Sequence, residues 1–126
     1  MKKVFLGGTC NGSTWRNELI PKLNIDYFNP VVDDWKEENY KQELIERINC
    51  DFCLYTFTKE MLGVYSVAEV VDDSNKKPES TICCLLEDGF SKNQLKSLDK
   101  IGILVENNGG AYFKDLDSVA KYLNEK

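Results

Sequence analysis

Histidine is absent from the 126 residues, and long apolar runs are absent as well. Without histidine the usual general base is missing, so any acid–base chemistry must rest on carboxylates, tyrosine, lysine or cysteine. No stretch approaches the roughly 18 apolar residues of a membrane span, and the opening "MKKVFLGG" is too short for a secretory signal. These absences predict a cytoplasmic protein that has no membrane partner.

Basic residues are scarce relative to acidic ones. Lysine and arginine number 16 against 21 aspartates and glutamates, which gives a net charge of −5. This balance argues against a general affinity for nucleic acid polymers or anionic membranes, because both attract positive charge. A small polar molecule is the partner that the composition favours.

The five cysteines form an odd set in a chain without a secretory signal, which indicates reduced thiols. Cys50 and Cys53 form a CxxC pattern, but it lies where a predicted helix ends and a strand begins. Redox sites place this pattern at the start of a helix, whose N-terminus stabilises the thiolate, so the position disfavours a redox function. With no histidine and no second CxxC, the sequence predicts no metal site.

Strand-like and helix-like segments alternate along the chain, which is typical of a parallel α/β sheet. The predicted strands are "KVFLGG", "DYFNP", "DFCLYTFT", "TICCLL" and "GILVE". We therefore expect one domain over residues 1–126, a flavodoxin-like or Rossmann-like three-layer sandwich with a five-stranded, mainly parallel sheet. Ligands of such sheets bind beyond the carboxyl ends of the strands, here the loops after Leu6, Phe28, Phe57 and Val105.

Two helices are predicted from apolar spacing. Tyr40, Leu44, Ile45 and Ile48 form a helical stripe with Lys41 at its edge. Farther along, Val64, Val67, Ala68 and Val71 predict a helix that begins near Gly63 and packs this face on the sheet. Leu62, Tyr65, Ser66 and Glu69 then fall on a neighbouring face of that helix.

The first predicted loop, "GGTCNGSTWR", contains glycines directly after a strand and before a helix. Such a loop lets the backbone approach a nucleotide or a sugar, but a tight turn without a ligand explains the glycines as well. The spacing of Gly7, Gly8 and Gly12 matches neither a P-loop nor the dinucleotide-binding pattern.

Glu69 and Glu43 are the candidate catalytic residues. If the two carboxylates meet in one cleft, one could attack the anomeric carbon of a sugar while the other handles the leaving group. The ordinary alternatives are a solvated Glu69 at a helix edge, and a Glu43 that pairs with Arg47 on an exposed helix face.

The order "VFLGGTCNGSTWR", "FNP", "ELIERINCDFCLYTFT" and "LGVYSVAEVV" resembles the nucleoside 2-deoxyribosyltransferase family, especially its small divergent branch. It is also similar to the related deoxynucleoside monophosphate N-glycosidases. The resemblance spans about Lys3 to Val71. It implies that Glu69 is the nucleophile that attacks the sugar C1′ and that Glu43 contacts or protonates the base. The substrate-binding residues that it implies are Gly8, Thr9, Asn11, Trp15, Arg16, Pro30 and Ser66.

The resemblance implies an enzyme that cleaves or transfers the N-glycosidic bond of 2′-deoxynucleosides or their monophosphates, through a covalent glutamyl–deoxyribose intermediate. Its partners would be the nucleoside or nucleotide and a free nucleobase, with no cofactor. The family also implies a homo-oligomer, in which "NNGGAYF" near the C-terminus reaches a neighbouring pocket; alternatively, Tyr112 and Phe113 only fasten the last helix to the sheet.

Two other functions stay open. A non-catalytic nucleotide-binding or interaction module on the same fold would suit the departures from the family pattern. These are Val70-Val71 in place of Leu-Gly, and Gly63 in place of an acidic residue or serine. A flavin carrier of the flavodoxin type is the second alternative.

Overall fold

The computed structural model describes residues 1–126 except Asn11, Asp33 and Trp35. Over these residues, five strands alternate with five α-helices. The strands are β1 (Lys3–Gly8), β2 (Asp26–Phe28), β3 (Phe52–Phe57), β4 (Thr81–Leu85) and β5 (Ala111–Phe113). The helices are α1 (Trp15–Leu19), α2 (Glu37–Asn49), α3 (Tyr65–Lys76), α4 (Lys92–Asn107) and α5 (Leu116–Asn124). Short 3-10 turns follow α1 and α3 at Ile20–Lys22 and Pro78–Ser80.

The five strands form one sheet in the order β2-β1-β3-β4-β5, and every pairing is parallel. This arrangement confirms the predicted flavodoxin-like or Rossmann-like α/β sandwich. Every residue of the central strands β3 and β4 is buried, as expected for strands covered on both faces.

The two faces of the sheet carry separate cores, because alternate residues of each strand point to opposite sides. On one face, residues such as Leu6, Leu54 and Ile82 pack against α1 and α5. On the other face, residues such as Phe5, Tyr55 and Leu85 pack against α3 and α4. The helices that follow β1 and β3 therefore lie on opposite faces of the sheet.

The predicted fifth strand "GILVE" is wrong, because these residues continue α4 to Asn107. Gly102 makes this possible: a Cβ there would lie 2.3 Å from the ring of Tyr112, so only glycine lets β5 pack directly on the helix. Val105 is consequently a fully buried core residue rather than the end of a strand. No ligand loop follows it at the carboxyl edge of the sheet.

Tyr112 and Phe113 lie within β5, where both rings have partners in the same chain. The Tyr112 hydroxyl donates a hydrogen bond to Asp99 Oδ1 at 2.8 Å. The Phe113 ring packs on Tyr122 of α5, with centroids 5.3 Å apart, so it fastens the last helix to the sheet. The homo-oligomer stays a prediction.

The predicted sheet-facing stripe of α3 is partly wrong. The helix begins at Tyr65, and Val64 before it has a non-helical backbone and a side chain that is 71% exposed. Ala68 is also exposed, and Val70 is the fully buried apolar residue of the helix. Val64 precedes the helix and so lies outside its periodicity, and the buried positions Val70, Asp73 and Ser74 show that the packed face is centred on Val70 rather than on Ala68.

The predicted apolar stripe of α2 does not face the core, since Tyr40, Ile45 and Ile48 are exposed. The helix contributes no buried residue and turns charged side chains towards the rest of the protein instead. Glu46 forms an ion pair with Lys3 at 3.0 Å, and Arg47 reaches carboxylates of α3. The helix thus contacts the rest of the described chain mainly through charged side chains rather than through its apolar stripe.

Candidate functional site

A small cleft lies at the carboxyl ends of β1 and β3, the neighbouring strands whose following helices cover opposite faces. In doubly wound sheets this switch point is where ligands bind. The cleft has a volume of about 170 Å³. Its lining residues are Gly8, Thr9, Cys10, Phe57, Met61, Leu62, Gly63, Tyr65 and Ser66.

Thr9 ties the two loops of the cleft together. Its backbone N–H donates to the Thr56 carbonyl at 2.9 Å, and its Oγ1 accepts from the Thr58 N–H at 3.0 Å. The close approach requires glycine at the preceding position, because a Cβ on Gly8 would lie 2.1 Å from the Thr56 carbonyl oxygen. Gly8 also has a φ of 107°, which favours glycine.

Trp15 and Arg16 hold this loop in place through hydrogen bonds to the Thr9 carbonyl. The Trp15 Nε1 donates to the Thr9 carbonyl at 2.9 Å, and Arg16 Nη1 donates to the same oxygen at 2.6 Å. Arg16 Nε also donates to the Leu6 carbonyl at 3.0 Å. Both side chains are buried, and burial lowers the pKa of the Arg16 guanidinium. Direct substrate contact by these two residues stays a prediction, while the geometry gives them a structural role.

The other predicted binding residues occupy different places. Ser66 lines the cleft at the first turn of α3. Pro30 is buried just after β2 and is not among the residues that line the cleft. Asn11 lies outside the described residues.

Glu69 follows Ser66 by one turn of α3, and its side chain is 15% exposed. The pKa of Glu69 is raised to about 7, mainly by burial; Arg47 opposes the increase, and the charges of Asp73 and Glu43 contribute to it. A carboxyl group with this pKa is ionised in only part of the molecules at neutral pH. The shift reflects a site in which a carboxylate is held out of water.

Glu43 lies on α2, close enough for its charge to act on both Glu69 and Arg16. The structure therefore brings the two candidate carboxylates to one side of the sheet edge. Neither is among the residues lining the 170 Å³ cleft, and Glu69 lies one turn of α3 beyond the lining residue Ser66. Their catalytic roles stay predictions.

The sequence analysis missed the residues that surround Glu69. Arg47 is not an exposed partner of Glu43: its side chain is 15% exposed and lies against Glu69, Asp72 and Asp73. Tyr55 of β3 completes the group, since its hydroxyl donates to Asp73 Oδ2 at 2.6 Å. The available signal was the placement of two aspartates about one turn after Glu69 on the same helix.

Cys50 and Cys53, two of the five cysteines, are buried thiols with raised pKa values. Burial raises the pKa of Cys50 to about 12 and that of Cys53 to about 11, so both thiols stay protonated and unreactive. All five cysteines are free. Outside the three undescribed positions, no group of three or more carboxylates and cysteines is placed to hold a metal ion. The described helices include none long and apolar enough to span a bilayer.

Comparison with known proteins locates the chain within a family. Neither the curated proteins nor the solved structures contain a significant match. The family described as "Nucleoside 2-deoxyribosyltransferase like" matches residues 1–88, which include both loops of the cleft, Glu43 and Glu69. With more than half of its length matched, the chain belongs to the nucleoside 2-deoxyribosyltransferase-like family.

Proposed function

We propose that the protein cleaves or transfers the N-glycosidic bond of 2′-deoxynucleosides or their monophosphates, with Glu69 as the nucleophile. The observation that carries the proposal is the position of Glu69. It is a largely buried carboxyl group one turn of α3 beyond the cleft residue Ser66, within the electrostatic reach of a second carboxylate. Membership of the family supplies the reaction class.

In the first step, a Glu69 carboxylate oxygen attacks C1′ of the deoxyribose. The N-glycosidic bond breaks, its electron pair leaves with the base, and Glu43 in its acid form protonates that base. The product of this step is a glutamyl–deoxyribose ester together with a free base.

In the second step, a nitrogen of another base attacks C1′, and the bond to Glu69 breaks to restore the carboxylate. Glu43 accepts the proton that the incoming base releases. Water in place of the base would give hydrolysis. Two inversions at C1′ retain the β configuration, as in other double displacements at sugar carbons.

The cleft suits the sugar rather than the whole nucleoside. Its volume of about 170 Å³ is smaller than the roughly 300–1,000 Å³ of typical small-molecule pockets. We place the deoxyribose in the cleft and the base at its rim, beside Tyr65. This side chain is 59% exposed and interacts with the Tyr40 hydroxyl of α2, which raises the pKa of Tyr65.

The departures from the family pattern are compatible with this arrangement. Val70 is fully buried in the core, so the change there replaces one packing residue by another. Gly63 lines the cleft, and a Cβ there would meet nothing within 4 Å. Ser66 lines the same cleft and is our candidate for the contact with the sugar 5′ position.

The test is base exchange. Purified protein is incubated with a deoxynucleoside and a different free base, and the new deoxynucleoside is measured by chromatography. Glu69→Gln should reduce exchange by at least roughly a thousandfold, because the nucleophile is lost. Glu43→Gln should reduce it by about 10²–10⁴-fold, the usual contribution of a general acid–base group. The matched control is Glu106→Gln, which removes an exposed carboxylate from α4 and should leave the rate unchanged.

Mass spectrometry of the acid-quenched reaction should detect one deoxyribosyl group on the peptide that contains Glu69. An active Glu69→Gln protein would refute the assigned nucleophile. Tight nucleotide binding without turnover, unaffected by Glu69→Gln, would instead favour the non-catalytic module.

A further inference from the structure

We propose that Arg47 is a positioning residue for Glu69, anchored by Asp73 and Tyr55 so that it orients the Glu69 carboxylate and favours its charged form. The catalytic meaning of this arrangement rests on the proposed function. The contacts among these four side chains are features of the structure and do not depend on the proposed function.

The anchor is a buried pair between α2 and α3. Arg47 Nε donates to Asp73 Oδ2 at 3.2 Å, and Arg47 Nη2 donates to Asp73 Oδ1 at 2.8 Å. This two-pronged contact fixes the plane of the guanidinium. Asp73 is 3% exposed and Tyr55 is completely buried, so water does not compete for these bonds.

Tyr55 connects the anchor to the sheet. Its hydroxyl donates to Asp73 Oδ2 at 2.6 Å from the middle of β3. One aspartate thus accepts hydrogen bonds from both the helix α2 and the central strand. Through Asp73, the Arg47 guanidinium is therefore connected to the fully buried central strand β3.

Arg47 contacts Glu69 at two points. Its Nη2 donates to the Glu69 backbone carbonyl at 3.4 Å, and its Nε lies 3.8 Å from Glu69 Oε2. The second distance is too long for a hydrogen bond but still within the range of an ion pair. Arg47 therefore supplies positive charge without occupying a lone pair of the Glu69 carboxylate, which leaves that oxygen available for attack.

The other groups that face Glu69 oppose its ionisation or are neutral. Glu43 approaches from α2 and Asp73 from its own helix, and both charges raise the pKa of Glu69 after the larger effect of burial. Tyr65 on α3 and Tyr55 on β3 also interact with its charge. Among the described groups that act on Glu69, Arg47 supplies the positive charge.

A lysine would not reproduce this geometry. The Arg47 guanidinium contacts Asp73 and Glu69, and its Nη2 also donates a hydrogen bond to Asp72 Oδ2 at 3.0 Å. An ammonium group is a single point of charge and lacks the planar set of donors that holds several acceptors at once. The arrangement therefore distinguishes arginine from lysine, and this difference is testable.

The experiment compares wild-type protein with Arg47→Met, Arg47→Lys and Tyr55→Phe by two measurements. The first is a ¹³C NMR titration of the Glu69 carboxyl group, and the second is the pH dependence of kcat/KM for base exchange. We expect Arg47→Met to raise the Glu69 titration midpoint by about one pH unit or more, which corresponds to at least about tenfold lower kcat/KM on the acid side. The loss should recover at alkaline pH.

Arg47→Lys should give a smaller shift in the same direction, and Tyr55→Phe the smallest. The matched control is Lys76→Met, which removes an exposed cation that pairs with Asp72 at 3.1 Å on the same helix. It should leave both the titration and the pH profile unchanged.

An unchanged midpoint in Arg47→Met, with kcat/KM lowered equally at every pH, would overturn the proposal and leave Arg47 a structural residue. If Arg47→Met does not fold, because the buried Asp73 loses its positively charged partner, Arg47→Met is combined with Asp73→Asn and compared with Asp73→Asn alone. A midpoint in the double variant at or below that of Asp73→Asn would also overturn the proposal. A wild-type protein that shows neither base exchange nor release of free base by hydrolysis would refute the proposed function, while the NMR titration would still test Arg47.

Discussion

At the scale of single residues, the site depends on a carboxyl group that the folded protein makes harder to ionise. The pKa of Glu69 rises from the model-compound value of 4.5 to about 7, with burial as the main cause. An ionised Glu69 is the form that attacks carbon, so the fold keeps its proposed nucleophile at the boundary between two protonation states. Such groups are common at catalytic sites.

The same shift predicts a pH-dependent effect of Glu69→Gln on stability. Between about pH 4.5 and about pH 7, the folded protein binds a proton at Glu69 that the unfolded chain releases. The stabilisation from this proton is therefore present below the unfolded pKa and is lost as the pH rises through the folded pKa. Glutamine does not titrate, so relative to wild type the variant should gain up to roughly 3 kcal/mol on going from about pH 4 to about pH 8.

Urea unfolding of both proteins at the two pH values measures this gain. Glu69→Gln also loses the contact with Arg47. A loss of stability that is the same at both pH values cancels, because only the change with pH is compared. Glu106→Gln, at an exposed position, provides the control. A difference between Glu69→Gln and wild type that is the same at both pH values would contradict the prediction.

The sequence singled out Glu69 and Glu43 as candidates, whose catalytic roles stay predictions, but it did not predict their surroundings. Each glutamate lies within a short local motif. The group around Arg47 instead joins residues that are distant in the sequence, since Arg47 and Asp73 are 26 residues apart. Arginine near a glutamate on one helix resembles an ordinary surface pair, and only the packing of α2 on α3 shows the true partner. Trp15 and Arg16 were recognised, but their common acceptor, the Thr9 carbonyl, was not visible in the sequence.

At the scale of elements, the boundary between α4 and β5 depends on a tertiary contact. An apolar run such as "GILVE" fits a buried strand or a helix equally well, so its pattern does not decide between them. Ser91 and Gln94 form a capping box that starts α4, and the helix then continues through Gly102. The close packing of Tyr112 on Gly102 compensates for the low helix propensity of glycine.

Gly102→Ala should therefore destabilise the protein, although alanine is the better helix former. The intrinsic preference would favour alanine by about 1 kcal/mol, but the new Cβ would lie 2.3 Å from the Tyr112 ring. Overpacking of this kind costs about 1–3 kcal/mol, so we expect a net loss of about 1 kcal/mol. Urea unfolding measures it, with Ser97→Ala at an exposed position of the same helix as control. A more stable Gly102→Ala protein would show that the Tyr112 ring moves aside without cost.

At the scale of the whole molecule, the fold class followed from the sequence because alternation of strands and helices has few packed solutions. The rotation of α2 did not follow, because the apolar pattern predicts a packed stripe, whereas in the structure most of that stripe is exposed and Glu46 and Arg47 form ion pairs with the rest of the chain. The family match ends at residue 88, close to the end of β4, whereas the sheet and both cores continue beyond it.

A fragment of residues 1–88 should consequently fail to fold, although it contains every candidate site residue. It would lack Leu98 and Val105 on one face of the sheet, and Val119 and Leu123 on the other, which are buried core residues in the full chain. Exposing β4 on both faces removes more apolar burial than a marginally stable domain can lose.

Near-ultraviolet circular dichroism and urea unfolding should show no cooperative transition for the fragment and a single one for the full chain, as expected if residues 1–126 form one domain. A chain ended after Asn124, which removes two exposed residues, is the control and should unfold like the full chain. Cooperative unfolding of the fragment at the midpoint of the full chain would mean that α4, β5 and α5 are accessory to the fold.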